Sequence, residues 1–417
     1  MDCITGIISQ IGPKKQGVTV MKLKRFLALL LVCALALPAA VSAEDFPLTI
    51  GSKGDRVFEL KQRLRDLRYL EGSKLTKSYT KKTADAVRIF QQMNGLPETG
   101  ETDEATWNAV FSDQALPKPR PTMPPLATPA PLSEPDWPPR DEAGFLAEGS
   151  EYFYENDEEG LWIYLGRDLQ VIITRRTDST VPLVWFETEI ITRGDEAFRT
   201  AQTDPEHPGK KFQHPYVISR EAGFVLGFSD DFFATRMADK ETVGIIIRDG
   251  QIISSETNRT RGHHLPNLDM MAQYPDGRLE VYACDEYTAE ELLNKGAVNV
   301  FSFGPILLRG GEINEQLYTW YRSVEPRHAL GMIEPHHYLL VSVQGRTKES
   351  KGTLLQRVAE IMKDRGVTEG LNLDGGNTMA LIFRGRMLNK LATYKRKKFV
   401  RTVTSVTGIG YTENQAD

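Results

Sequence analysis

The stretch Gly370-Leu371-Asn372-Leu373-Asp374-Gly375-Gly376-Asn377-Thr378-Met379-Ala380-Leu381-Ile382-Phe383 decides how the rest of this chain reads. An apolar run ends in a carboxylate. Two glycines, an amide and a hydroxyl follow, and then a second apolar run begins. Gly375 and Gly376 permit positive φ and close approach of a ligand to the backbone. Successive exposed N–H groups in such a turn can cradle an anion. Asp374, Asn377 and Thr378 would then surround one small space. The bland alternative is a plain hairpin, because Asp-Gly and Gly-Gly are common turn dipeptides. A helical pattern just upstream, from Gly352 to Arg365, makes the first apolar run part of a layered domain. Leu355, Val358, Ala359 and Met362 share one face of that helix, and Gly366 stops it.

Outward from this stretch, residues 145–412 are rich in strand signals. Leu161 to Tyr164 and Leu169 to Thr174 flank Gly166-Arg167-Asp168. Val184, Phe186, Thr188 and Ile190 alternate with the period of a half-buried strand. Two further hairpins turn at Asp249-Gly250 and Asp276-Gly277. Helical patterns are few: Thr288 to Asn294 and the one before Gly366. The expected fold class is α+β, with a mixed or antiparallel sheet in this head.

Residues 46–112 read differently. Val57, Leu60, Leu64 and Leu67 recur at helical spacing; Ala84, Val87 and Phe90 mark a second helix; Thr102 can cap a third that carries Trp107 and Val110. These predict a small three-helix bundle. Between bundle and head, residues 113–140 hold ten of the chain's 23 prolines, the composition of a semi-rigid spacer. Residues 1–43 read as an export signal: Lys22, Lys24 and Arg25, an apolar run from Phe26 to Leu37, and small residues at Val41-Ser42-Ala43. Met21 makes a better natural start than Met1, since residues 1–20 have no signal character. The apolar run is short for a spanning helix, so no stable membrane span is expected after cleavage.

The whole chain of 417 residues has a formal charge of −5, with 40% hydrophobic and 26% charged residues. That is a soluble protein able to build cores. The charge speaks against a nucleic-acid partner. Lys395-Arg396-Lys397-Lys398 is the only dense basic run and reads as a solvated turn between strands. Cys284 is the only cysteine after loss of the leader, so no internal disulfide is expected and a buried structural thiol is the natural reading. His263-His264 and His336-His337 do not have zinc spacing; neighbours on a strand face opposite sides. A divalent cation held by carboxylates is left open.

Four more polar segments interrupt apolar runs in the head: Gly227-Phe228-Ser229-Asp230-Asp231-Phe232-Phe233, Phe303-Gly304-Pro305, Glu325-Pro326-Arg327-His328, and Val343-Gln344-Gly345-Arg346 with Ser350 and Gly352 beyond. With Asp374 they supply two arginines, a candidate acid and a glycine-rich turn. Guanidinium groups grip phosphate oxygens bidentately. Carboxyl groups do acid, base or nucleophile work at an anomeric carbon. The combination suits a substrate that carries both sugar and phosphate. Helix N-terminal amides near Ser350 offer a further contact for an anion.

On these residues the head resembles the phosphodiester glycosidase family. The resemblance rests on Pro326-Arg327 with Ala329-Leu330-Gly331, Glu334-Pro335 with His337-Tyr338, Gly345-Arg346, Ser350 with Gly352, and Asn372-Leu373-Asp374-Gly375-Gly376 with Thr378. Asp231-Phe232-Phe233 and Phe303-Gly304-Pro305 add to it. The resemblance implies hydrolysis of the bond between a sugar's anomeric carbon and a phosphodiester, as with N-acetylglucosamine-1-phosphodiesters. It implies a reactive centre of Asp231, Arg327, Arg346 and Asp374, with Ser350, Gly375, Gly376, Asn377 and Thr378 at the substrate.

Residues 46–112 resemble the type 1 peptidoglycan-binding domains, through Gly51-Ser52-Lys53-Gly54-Asp55, Phe90-Gln91, Asn94-Gly95-Leu96, Thr99-Gly100 and Thr106-Trp107. This implies an exported, wall-associated protein whose partners are peptidoglycan or another wall glycan and a sugar-phosphate substrate. Four positions depart from the glycosidase pattern: Ser229 for asparagine, Gln344 for aspartate, His328 for threonine and Asn377 for a small residue. Gln344 and Ser229 feed a second reading, a non-catalytic wall-polymer binding protein; a third, weaker reading is an exported polysaccharide-processing lyase or transferase using the same cleft.

Overall fold

The computed structural model describes residues 46–72, 74–127, 135–178, 180–207, 210–230, 244–257 and 268–416. The export signal, Asp231 to Phe233 and His263-His264 lie outside them. The described residues divide into two compact units: those up to Leu60 with Lys77–Leu116, and Lys61–Thr76 with Pro117 onward.

Three helices form where periodicity places them, at Asp55–Asp66, Lys81–Met93 and Glu104–Phe111. Val57, Leu60, Leu64, Val87, Phe90 and Val110 are all fully buried. The third helix is capped by Asp103, whose carboxylate accepts from the Thr106 amide at 2.7 Å. The expected cap, Thr102, instead pairs with Leu48 and shares a hydrogen bond with the Tyr79 hydroxyl. A carboxylate one residue later also answers the partial positive charge of the helix start.

The head is α+β, and every strand pair among the described residues is antiparallel. The largest sheet runs, edge to edge, through Tyr152–Asn156, Leu161–Leu165, Leu169–Asp178, Leu183–Thr192, His337–Val343, Arg327–Glu334, Glu369–Leu373, Ile306–Arg309 and Glu312–Ile313. A second sheet contains Leu279–Tyr282, Asp269–Gln273, Asn299–Phe303, Gly244–Arg248 and Gln251–Glu256. A third contains Arg386–Met387, Leu381–Phe383, Leu226–Phe228, Ser405–Ile409 and Arg199–Gln202.

Alternation explains the layers. On Leu183–Thr192, Phe186 and Ile190 enter the core shared with Phe228, Leu381 and Ile409 of the third sheet and Met271 and Leu279 of the second. Leu183 and Trp185, of opposite parity, join the core under the helix Leu355–Asp364, with Val358, Ala359 and Met362. That helix starts at Leu355, so Ser350 is not at its N-terminus.

The Gly370–Phe383 stretch is no hairpin. Its first strand belongs to the nine-stranded sheet and its second to the third sheet. The Asp374–Thr378 turn therefore hands the chain from one layer to the other. Part of the proline-rich segment, expected as a semi-rigid spacer, is fixed on the head. Gln356 Nε2 donates to the Pro121 carbonyl at 2.8 Å, and Arg357 donates to that of Pro124. The Ala127 amide donates to Asp178 at 3.1 Å, and Leu126 packs on the helix-side core. Proline carbonyls keep full acceptor strength, so a segment without a core of its own can still be held by side chains of its neighbour.

Candidate active site

The hand-over turn is where the separated polar segments meet. The Asp374 amide donates to the Asp230 carbonyl at 2.9 Å, and the Gly376 amide to the Pro326 carbonyl at 3.1 Å. Three glycines let the Glu325-Pro326 backbone pass through. A Cβ on Gly375 would overlap the Pro326 carbonyl, and one on Gly352 would overlap that of Glu325. A Cβ on Gly345 would lie 2.8 Å from the Pro326 nitrogen. Segments 229–230, 325–327, 344–346, 350–353 and 374–378 are thus interlocked by backbone contact. The fit needs glycine because nothing larger clears the crossing strand.

Arg346 lies between them in an uncommon conformation for a non-glycine residue, with φ of 56°. Such backbone strain persists only where the surroundings fix it. Its Nε and one terminal nitrogen contact Glu325 Oε2 at 2.9 and 2.7 Å, and the other terminal nitrogen donates to Asn377 Oδ1 at 2.6 Å. Arg327 donates to the Thr353 carbonyl at 3.2 Å and to the Ser323 carbonyl at 2.5 Å. Burial lowers its pKa to about 10, with Glu325 pulling up and Arg346 pushing down. It stays charged at neutral pH. Both arginines are therefore held by loop carbonyls, an amide and one carboxylate, Glu325, which sequence reasoning passed over.

Asp374 is buried at the centre of the turn. Asp231 lies outside the described residues. Its neighbour Asp230 is buried too, accepts from the Thr407 hydroxyl and lies 4.0 Å from Arg248. Arg248 is equally buried and donates to the Val300 carbonyl at 2.6 Å. A buried charge survives only when paired and hydrogen-bonded, so Asp230 and Arg248 anchor the strand that leads to position 231. The sequence signal for Arg248 was an arginine closing an apolar strand, Ile245-Ile246-Ile247-Arg248.

Two substrate-binding expectations change. Ser350 is fully buried; its hydroxyl donates to the Gln344 carbonyl at 2.5 Å and accepts from the Val184 amide at 3.1 Å. Both partners belong to the protein backbone, so its hydroxyl shapes the loop. Asn377 is buried as well, its Nδ2 donating to the carbonyls of Ala392 and Phe399 at 2.7 and 3.0 Å. The expected anion cradle is also smaller. The amides of Asp374, Gly376, Thr378 and Met379 already donate to the Asp230, Pro326 and Gly375 carbonyls, which leaves those of Gly375 and Asn377. Thr378 is buried, its hydroxyl 3.3 Å from Arg401. Arg401 was missed by sequence and has no carboxylate partner among the described residues.

The departures from the glycosidase pattern have structural uses. The Ser229 hydroxyl accepts from the Ala380 amide at 3.0 Å, fixing the strand against the far side of the turn. Gln344 Oε1 accepts from the Lys390 amide at 2.5 Å. His328 is fully buried beside Phe228, and burial lowers its pKa to about 3. The Ser342 hydroxyl lies 2.9 Å from its Nδ1. Cys284 packs with Leu268 and Phe303; burial first, then the Asp269 and Asp285 charges, raise its pKa to about 11, which makes it an inert thiol. His337 pairs with Glu189 at 2.8 Å, and His336 lies 3.1 Å from the Thr192 hydroxyl. Among the described residues no group of three His, Cys, Asp or Glu side chains is arranged to hold a metal ion, and no helix is long and apolar enough to cross a membrane.

Comparison with known proteins gives two family matches. Residues 222–409 match the phosphodiester glycosidase family and residues 53–110 the peptidoglycan-binding domain family; the chain carries one domain of each class. A curated relative is the SPbeta prophage-derived uncharacterized protein YomE of Bacillus subtilis, 26% identical over 180 residues. The match covers 42% of this chain and 27% of that protein.

Among solved structures, the chain is similar to the zebrafish N-acetylglucosamine-1-phosphodiester alpha-N-acetylglucosaminidase catalytic domain, auto-inhibited by its pro-peptide. Identity is 18% and the TM-score 0.44, over 63% of this chain and 88% of that one. A hypothetical protein from Synechocystis matches at 12% identity and a TM-score of 0.39, over 58% and 62% of the two chains.

Proposed function

We propose that this protein is an exported, wall-associated hydrolase that cleaves the bond between a sugar's anomeric carbon and a phosphodiester in a surface polysaccharide or its precursor. The observation that carries the reading is the interlocking of five separate polar segments around the Asp374 turn, inside the stretch that matches the phosphodiester glycosidases. The peptidoglycan-binding match supplies the tether.

In this reading a water oxygen bonds to the anomeric carbon while the bond from that carbon to the phosphate oxygen breaks. The electron pair leaves with the phosphate, giving a free sugar and a phosphomonoester. A phosphate leaving group is weakly basic, so the arginines' charge does more for departure than proton donation does. Asp374 and Asp231 are the carboxyl groups assigned to water activation or attack on carbon. Arg346 and Arg327 hold the loops and set the positive field, with Arg401 beside them.

A second reading has its own observation. Arg346 is already answered by Glu325 and Asn377, which leaves less of its charge for a departing phosphate, as in a protein that holds a wall polymer through other cations without turning it over. The deciding experiment measures free N-acetylglucosamine released from an N-acetylglucosamine-1-phosphodiester panel, with and without EDTA, by wild type, Arg327→Ala and Asp374→Asn. Release by wild type and its loss in both variants supports the hydrolase. Binding without turnover across the panel and wall-derived polymers moves the conclusion to the binding protein.

A further inference from the structure

The basic run 395–398 is a turn, as its sequence suggests, but its position is informative. Thr393–Tyr394 pairs with Lys397–Lys398. Lys395 and Arg396 both have positive φ, 46° and 68°, the left-handed centre of a tight hairpin. Asn377 holds both feet of this hairpin through the Ala392 and Phe399 carbonyls. The Thr393 amide donates to the Arg346 carbonyl at 3.3 Å, and the Arg346 guanidinium lies 5.7 Å from the Tyr394 ring centre. The hairpin is therefore wired directly to the candidate site.

Its cations are also available. Arg396, Lys397 and Lys398 are exposed and have no carboxylate partner among the described residues. Beside them lies a cavity of about 470 Å³, lined by Lys398 and Phe399 on one side and His214, Tyr216 and Arg220 on the other. The His214 and Tyr216 rings stack at 5.3 Å and 11°. Arg220 likewise lacks an acidic partner among the described residues, whereas Arg386 in the same wall is held by Asp157 and Glu155.

Resting on the hydrolase reading, we infer that the hairpin and this cavity form an extended subsite for the aglycone, and that the aglycone is a polymer with repeating phosphodiesters. Unpaired cations in a row suit regularly spaced phosphates. Stacked rings suit the apolar faces of the sugar or polyol units between them. Asn377, where the glycosidases carry a small residue, is the side chain that joins this subsite to the turn.

The test is equilibrium binding of the full chain to a fluorescent glycerol-phosphate oligomer at low and moderate salt, beside a single-stranded DNA oligomer of equal charge. The comparison is with K395Q/R396Q/K397Q/K398Q and, separately, Tyr216→Ala, each checked for an unchanged circular dichroism spectrum. The inference expects the quadruple variant to bind the oligomer about tenfold or more weakly with a flatter salt dependence. It expects Tyr216→Ala to weaken binding several-fold. Wild-type affinity in the quadruple variant overturns it, and so does equal wild-type affinity for the DNA. Failure of the hydrolase reading shows separately, as no release from the small phosphodiester panel.

Discussion

The two arginine-bearing regions of the head handle charge in opposite ways. Around the Asp374 turn, Arg327 and Arg346 are wrapped by carbonyls, an amide and Glu325, and the backbone threads past three glycines. On the hairpin 393–398, the cations stand in solvent with little around them. The inner charges fix geometry; the outer ones are free to meet a partner. On the proposed reading both are needed, because a rigid centre and a long reach make contradictory demands on the same side chains.

The sharpest way to break this contrast is at the centre. Asp374→Asn should lower turnover about 10²–10⁴-fold with the fold intact; release assays beside thermal melts check this, and a mild loss would remove Asp374 from the chemistry. Next is the threading itself. Gly352→Ala, at a φ of 100° and against the Glu325 carbonyl, should cost roughly 2–4 kcal/mol, in the upper range for single substitutions, read by urea unfolding.

Third is the buried imidazole of His328. Its folded pKa, about 3, lies below the unfolded value, so its stabilising contribution is full above about pH 6.5 and falls as pH drops toward 3. Between pH 7 and pH 5 that amounts to about 2 kcal/mol, and a His328→Gln chain should show a shallower slope. The smallest effect tests the inner ring of charge: Glu325→Gln unmasks Arg346 and should tighten inorganic phosphate binding by roughly fivefold, about 1 kcal/mol, measured by calorimetry.

Much of the head was legible because period-two alternation and Asp-Gly turns are local signals. The hairpins at 166–168, 249–250 and 276–277 and the helix ending before Gly366 follow from them. The partner of the Gly370 strand was not legible. Asp-Gly-Gly between apolar runs is as good a hairpin as a layer change, and only the remote strands Leu226–Phe228 and Arg327–Glu334 decide between them. The site divides similarly. Residue types and glycine spacing pointed to segments 229–230, 325–327, 344–346, 350–353 and 374–378, which the structure brings together. Direction of side chains was hidden: Ser350 and Asn377 read as ligand contacts, yet Ser350 bonds backbone groups and Asn377 bridges two loop carbonyls and the Arg346 guanidinium. Glu325 and Arg401 were missed because a single charged residue outside a strand carries no pattern, and Arg248 because one arginine closing an apolar strand is a weak one.

The third sheet has one more consequence. Its strand Ser405–Ile409 lies inside the sheet, between Leu226–Phe228 and Arg199–Gln202, and its Thr407 hydroxyl reaches Asp230. Both neighbours of this strand lie roughly 180 to 200 residues earlier in the chain, and loop-closure entropy makes such long-range pairing slow. The domain's folding therefore hinges on its last strand, and a chain halted before residue 405 would leave an open sheet edge.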